Sequence, residues 1–130
     1  MQHTLLRALG LALAAAALLA ARPSLAQPAG DAALGSDVFS THCAECHSVK
    51  DGRNKKGPSL FGVAGRQAAA VPGFSYSDAM KASGWSWTPQ RLDAYITLPK
   101  QALPGGKMKY DGLADAKARA DLLAYLATLK

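Results

Sequence analysis

Two cysteines and a histidine lie within five consecutive residues, Cys43-Ala44-Glu45-Cys46-His47, and these are the only cysteines in the 130-residue sequence. The C-x-x-C-H spacing is typical of covalent haem attachment, in which both thiols add to the vinyl groups of one porphyrin as thioethers. One helical turn puts the two sulfurs on the same side of the ring, and the following imidazole then reaches the iron as proximal ligand. The motif therefore predicts one haem c (iron), attached at Cys43 and Cys46 and ligated by His47.

Three other interpretations of the motif are weaker. A thioredoxin-like redox pair or disulfide expects a βαβ context, and the sequence has no such pattern. A zinc site needs ligands that surround the ion, which the adjacent residues His42, Cys43, Cys46 and His47 cannot easily do. The motif could also arise by chance, but the export signal described below favours haem.

A sixth iron ligand on the opposite face would decide between electron transfer and catalysis. His42 is tethered beside Cys43 on the proximal side, so the remaining candidates are Met80 and Met108. Met80 lies in a weak helical pattern where a methionine usually packs, whereas Met108 follows a Pro-Gly-Gly loop that can present one side chain inward. We expect His47 and Met108 as axial ligands. That pair fills both positions, raises the reduction potential and leaves no open iron for enzymatic chemistry.

Residues 1–26 have the layout of a secretory signal peptide: Arg7 precedes a 14-residue apolar run, and Ser24-Leu25-Ala26 supplies small residues for cleavage. An uncleaved anchor is the alternative, but 14 helical residues rise only about 21 Å against roughly 30 Å of bilayer hydrocarbon. We expect cleavage near Ala26/Gln27, a periplasmic location, a monohaem domain over 27–130 and no stable membrane insertion of the mature chain.

The charge balance points to a protein partner. Losing Arg7 and Arg22 with the leader lowers the net charge from +6 to +4. The mature chain has no arginine clusters with interleaved aromatics, so nucleic acid is excluded as a partner. We expect redox protein partners with acidic docking surfaces, attracted by lysines around the predicted haem edge, namely Lys55, Lys56, Lys100, Lys107 and Lys109.

Hydrophobic periodicity predicts an all-α chain. One helix runs from the Asp31 cap to about His42, with Leu34, Val38 and Phe39 on one side. A second opens at Thr88-Pro89 and ends before Pro99, and the C-terminal segment has Leu122, Tyr125, Leu126 and Leu129 at helical spacing. A weaker helix covers Tyr76 to Ala82. Residues 48–74 have no periodicity, and only 28 apolar side chains larger than alanine follow residue 26, so we expect the loops to pack on a cofactor.

The mature chain resembles class I cytochrome c, and especially mitochondrial cytochrome c and its short soluble bacterial relatives, over nearly all of residues 31–130. The resemblance rests on motifs that occur in one order: Cys43-Ala44-Glu45-Cys46-His47, Gly57-Pro58, Gly65-Arg66, Pro72-Gly73-Phe74-Ser75-Tyr76, Trp87, Tyr95, Pro104-Gly105 and Lys107-Met108. It implies a class I cytochrome c fold, with crossing N- and C-terminal helices, a middle helix and long loops around one haem. Gly35 and Phe39 would meet Leu122 and Tyr125 at the crossing.

The resemblance also implies roles in the haem pocket. The carbonyl of Pro58 would accept the His47 N–H, Arg66, Tyr76 and Trp87 would face the haem propionates, and Tyr95 would place its hydroxyl near the Met108 sulfur. The alternative for Trp87 and Tyr95 is ordinary aromatic core, in which case they would still line the haem pocket. The chain departs from the family pattern at four positions. Relatives usually have asparagine in place of Met80, threonine in place of Gly106, and lysines in place of His42 and Gln101.

The function expected from these observations is that of a soluble, monomeric, periplasmic one-electron carrier. A dedicated haem c subunit of a periplasmic dehydrogenase or oxidase complex would have the same sequence features, and co-purification would distinguish the two. A peroxidase-like enzyme would need an open iron, and a haem-free thiol protein would be colourless.

Overall fold

Five helices make up the regular structure of residues 28–130, the part of the chain that the computed structural model describes: α1 (Ala32–His42), α2 (Asp78–Ala82), α3 (Pro89–Thr97), α4 (Pro99–Ala102) and α5 (Ala116–Leu126). Within that range there are no strands, only an isolated antiparallel bridge between Gln67 and Ser86. None of the helices described is long and apolar enough to cross a membrane. The predicted leader and its cleavage site lie outside the described residues.

Side-chain caps fix where four of the helices begin. Asp31 accepts hydrogen bonds from two N–H groups of α1, and Ser77, Thr88 and Asp115 each accept one at the start of α2, α3 and α5. Such caps satisfy N–H groups that have no partner inside the helix. The predicted all-α architecture and its three main helices are confirmed, while α2 begins two residues later than predicted because Ser77 is its cap.

The short helix α4 was not predicted. The sequence indicated only that Pro99 ends the preceding helix. In the structure Leu98 departs from helical geometry, with φ −149° and ψ 80°, and Pro99 then begins a new helix. Proline suits the first position of a helix because the N–H it lacks would have no partner there.

Helices α1 and α5 cross at Gly35. A Cβ at this position would lie 1.9 Å from the carbonyl oxygen of Asp121, so only glycine allows the two backbones to approach this closely. Phe39 and Tyr125 pack beside the crossing with ring centroids 5.7 Å apart, and Leu122 is 1 % exposed. The crossing implied by the resemblance is therefore confirmed.

Leu34, which the sequence places on one side of α1 with Val38 and Phe39, is not buried with them: its side chain is 51 % exposed, whereas Phe39 is 6 % exposed. Contact with α5 is centred on the stripe formed by Gly35 and Phe39. A residue one position away on a helix is turned by about 100° from that stripe. Val38, three positions after Gly35, still packs against the core.

Residues 48–74 form the predicted long loop, and hydrogen bonds within it hold its shape. Ser59 is 2 % exposed, and its Oγ donates to the carbonyl of Lys50 at 2.6 Å. Asn54 joins two parts of the loop: its Oδ1 accepts the N–H of Ser59 at 2.9 Å and its Nδ2 donates to the carbonyl of Pro72 at 3.1 Å. The loop is thus ordered by its own polar contacts as well as by what it packs against.

Candidate functional site

The turn that follows α1 positions the C-x-x-C-H motif. The N–H of Cys43 donates to the carbonyl of Phe39 at 2.8 Å, continuing the helical pattern, and the N–H groups of Cys46 and His47 both donate to the carbonyl of Cys43, at 3.0 and 2.9 Å. Both cysteines are unpaired and half-buried. A single tight turn therefore holds the two thiols and the imidazole together, as the spacing predicted.

The His47 imidazole is fixed by two neighbouring residues of the loop. Its Nδ1 lies 2.7 Å from the carbonyl oxygen of Pro58. A carbonyl can only accept, so Nδ1 carries the proton and the lone pair of Nε2 is free to bind a metal. Gly57 packs on the ring, where a Cβ would lie 2.3 Å from Cε1 of His47. The contact with Pro58 is the one implied by the resemblance, whereas the packing of Gly57 was not predicted.

Burial sets the protonation of His47 and Cys43 at neutral pH. It lowers the pKa of His47 below its ordinary value, against the opposing effect of the hydrogen bond to Pro58, so the imidazole is neutral. Burial, together with the nearby Cys46, raises the pKa of the Cys43 thiol to about 11. An S–H group is what adds across a vinyl double bond to give a thioether, and a neutral imidazole is the form that binds iron.

Arg66 lies within the 48–74 loop and Tyr76 follows it, and both side chains contact the backbone of the loop. The guanidinium of Arg66 donates to the carbonyls of Phe61 at 2.6 Å and Ser59 at 3.0 Å, while the Tyr76 hydroxyl accepts the N–H of Val71 at 3.1 Å. A cavity of about 310 Å³ is lined by Arg66 and by loop residues including Phe61 and Val71. Arg66 therefore supports the loop, and its predicted contact with haem propionates stays a prediction.

Trp87 and Tyr95 are both 8 % exposed and pack together with ring centroids 5.2 Å apart. Trp85, which the sequence reasoning did not single out, joins them at 5.8 Å from Trp87 and 5.9 Å from Tyr95. The guanidinium of Arg91 lies over the Trp85 ring, 4.4 Å from the ring centroid. Burial raises the pKa of Tyr95, so its phenol stays neutral and can donate a hydrogen bond.

The two methionines lie on different kinds of structure, as predicted. Met80 is part of α2, where its N–H donates to Ser77 Oγ at 3.1 Å. Met108 lies in the loop between α4 and α5, after a turn in which Gly105 has φ +82° and the N–H of Gly106 donates to the carbonyl of Leu103 at 3.0 Å. Both side chains are half-buried against the hydrophobic core. The loop geometry thus suits Met108 as a presented ligand.

Two of the five lysines proposed for docking are paired with carboxylates. Lys56 contacts Glu45 at 2.5 Å and Lys100 contacts Asp111 at 2.8 Å, with all four side chains largely exposed. Lys55 and Lys107 instead donate to the carbonyls of Ala44 and Ser75. Exposed ion pairs are weak, so a partner can separate them at little cost.

The residues of this site fit a covalently bound haem. Two thiols on one turn, a neutral imidazole with Nε2 free, and a thioether on a nearby loop are the donor set that haem c uses. Among the described residues the core contains only nine buried apolar side chains, which is a small core for a domain of this size. A porphyrin would add apolar surface to it.

Known proteins provide an independent comparison. The family model for cytochrome c matches residues 32–130. Cytochrome c2 of Rhodopila globiformis is 50 % identical over 103 residues, covering 79 % of this chain and 97 % of the relative. Cytochrome c of Gibberella zeae is 49 % identical over 98 residues, covering 75 % and 92 % respectively. The solved structure of cytochrome cH from Methylobacterium extorquens superposes with a TM-score of 0.71 and 40 % identity, covering 76 % of this chain and 99 % of that one. The chain belongs to the class I cytochrome c family, whose members carry electrons on one covalently bound haem c.

Proposed function

We propose that this chain is a soluble one-electron carrier of the periplasm, with His47 and Met108 as the axial ligands of the haem iron. The observation that supports this most directly is the 2.7 Å contact between His47 Nδ1 and the carbonyl of Pro58. It fixes the imidazole in the tautomer and orientation that present Nε2 to a metal. Contacts within the chain thus hold the imidazole in the orientation of a metal ligand.

The protein's contribution to electron transfer is to keep the iron environment unchanged between oxidation states. When bound, the haem supplies the redox chemistry, the iron gaining or losing one electron. The Pro58 carbonyl and the packed Gly57 restrain His47, and the 103–113 segment restrains Met108. If His47 and Met108 both bound the iron, the protein would leave no open position there for oxygen or peroxide, unlike a haem enzyme.

Absorption spectra of two matched variants test the ligand assignment. We expect the ferric wild-type protein to show the weak far-red band of sulfur-ligated iron. Met108→Ala should abolish this band, while Met80→Ala, which removes an equally half-buried thioether from α2, should keep it. Loss of the band in Met80→Ala with retention in Met108→Ala would reverse the assignment, and a colourless protein would contradict the whole proposal.

Docking is proposed to use the lysines around the Met108 loop and the C-x-x-C-H motif. Lys107 and Lys109 flank Met108 in the sequence. Lys55 donates a hydrogen bond to the carbonyl of Ala44, which is part of the C-x-x-C-H motif. An acidic redox partner would be steered to this face, and the second-order transfer rate should fall as ionic strength rises. A rate that is independent of salt would contradict an electrostatic docking face.

The cellular placement completes the proposal. Residues 1–26 act as a secretory signal peptide that is cleaved near Ala26/Gln27, after which the 27–130 domain is a monomer. The mass of the exported haem protein tests the cleavage site directly. Size-exclusion chromatography tests the monomer, and a stable complex with a dehydrogenase or oxidase would favour the dedicated-subunit alternative.

A further inference from the structure

We propose that Arg119 is a positioning residue for electron transfer, because it clamps the chain segment that presents Met108. Arg119 lies on α5 and reaches across to α3 and to the end of the Met108 loop. This inference rests on the proposed role of Met108. The Arg119 side chain is not one of the predicted haem-pocket residues.

The contacts of Arg119 join three parts of the fold. Its Nε donates to Oδ1 of Asp93 on α3 at 2.8 Å, in an ion pair whose side chains are only 12 % and 24 % exposed. Its Nη1 donates to the carbonyls of Leu113 at 2.9 Å and Ala114 at 2.8 Å. Asp93 anchors the guanidinium to α3. If the segment that contains Leu113 and Ala114 moved away from α3, Arg119 could not easily move with it, and its hydrogen bonds to the two carbonyls would break.

A second contact fixes the same point of the segment. The N–H of Leu113 donates to the carbonyl of Ile96 at 2.9 Å, and Leu113 is 7 % exposed. The preceding Gly112 has φ +109° and lies so close to α3 that a Cβ there would be 2.1 Å from the carbonyl oxygen of Thr97. Residues 112–114 are therefore pinned against the end of α3, a short distance along the chain from Met108.

The free energy of opening the Met108 segment should depend on this clamp. An outward movement of the segment separates the Leu113 and Ala114 carbonyls from Arg119. Removing the guanidinium leaves those carbonyls and the Asp93 carboxylate without their donor in the closed state, so the closed state is destabilised relative to the open one. The apparent affinity of a competing ligand is its intrinsic affinity multiplied by the fraction of open molecules.

Titration of the ferric holoprotein with imidazole measures this opening, because imidazole can bind only where Met108 has left. The readout is loss of the far-red band. We expect Arg119→Gln to bind imidazole about tenfold more tightly than wild type, a change equivalent to about 1.4 kcal/mol. Arg119→Lys, which retains the charge but not the fork of donors, should show an intermediate increase and serves if Arg119→Gln does not fold.

Lys117→Gln is the matched control. Lys117 lies on the same helix and pairs with Asp121, which accepts the N–H of Asp31, so it joins α5 to the start of α1 and not to the Met108 segment. We expect its imidazole affinity to stay within about twofold of wild type even if its unfolding free energy falls. Equal increases in Lys117→Gln and the Arg119 variants, or no more than about a twofold change in the Arg119 variants, would overturn the proposal.

Hydrogen exchange of the Leu113 amide separates this inference from the ligand assignment. Its N–H is bonded to Ile96, so its exchange reports opening of the segment without reference to the iron. Faster exchange in Arg119→Gln than in Lys117→Gln supports the clamp, and equal exchange refutes it. A wild-type protein that lacks the far-red band would overturn Met108 as ligand, while exchange would still decide whether Arg119 holds the segment.

Discussion

A methyl group added at residue 57 tests how tightly the His47 imidazole is held. In Gly57→Ala the new Cβ would lie 2.3 Å from Cε1, 2.7 Å from Nδ1 and 2.9 Å from Nε2 of His47. Ordinary van der Waals contact begins near 3.4 Å, so ring and backbone must separate by about 1.1 Å. Neither is free to move: the Gly57 N–H donates to the Cys46 carbonyl at 2.7 Å, and the ring is bonded to Pro58.

The expected loss of unfolding free energy has two parts. Overpacking a methyl group into a filled site costs about 1–3 kcal/mol. Displacing the imidazole from the Pro58 carbonyl costs about 1 kcal/mol more. We therefore expect Gly57→Ala to be destabilised by about 2–4 kcal/mol, a large share of the roughly 5–15 kcal/mol that stabilises a domain. The haem absorption spectrum should also change, because the proximal ligand is rotated.

Guanidinium chloride unfolding of the ferric holoprotein, followed by haem absorbance and far-UV circular dichroism, measures this loss. Gly52→Ala is the control, since Gly52 lies in the same loop with φ +66° and a Cβ added there would have nothing within 4 Å. Its cost, about 1–2 kcal/mol, should come from the left-handed backbone alone, with an unchanged spectrum. If Gly57→Ala lost no more stability than Gly52→Ala and kept the wild-type spectrum, the close packing of residue 57 on the imidazole would be refuted.

Two further predictions concern acid stability and haem removal. The ion pair with Lys117 and the hydrogen bond from the Asp31 N–H hold the pKa of Asp121 below its ordinary 3.8, so its stabilising contribution is present above that value and is lost as pH falls through the lowered pKa. Asp121→Asn should therefore be less stable than wild type near neutral pH and lose less stability on acidification in urea titrations; parallel curves for the two proteins would contradict this. The Cys43→Ala/Cys46→Ala protein cannot attach haem and should show little helix by far-UV circular dichroism, because the nine buried apolar side chains of residues 28–130 form only a small core. Cooperative thermal unfolding of that protein would argue against a core built partly of cofactor.

Helix starts could be predicted because their causes are local. Asp31, Thr88 and Asp115 cap helices through hydrogen bonds that span two or three residues, and the pattern of polar cap and apolar spacing is visible in the sequence. The C-x-x-C-H motif is local in the same sense, since one turn brings its three side chains together. Helix α4 was missed because Pro99 was interpreted only as the end of α3, although proline also suits the first position of a helix. The exposure of Leu34 was missed because it depends on which side of α1 packs on α5.

Residue type and short spacing are therefore enough to indicate the main helices, the haem attachment motif and the candidate ligands His47 and Met108. What holds these parts in place depends on the folded chain. The contacts of Gly57 with the His47 ring, of Asn54 with Pro72 and of Arg119 with Asp93 join residues that are 10, 18 and 26 positions apart in the chain. Such contacts leave no periodic pattern in the sequence, because their partners become neighbours only when the chain has folded. How close they come depends on how the whole core packs.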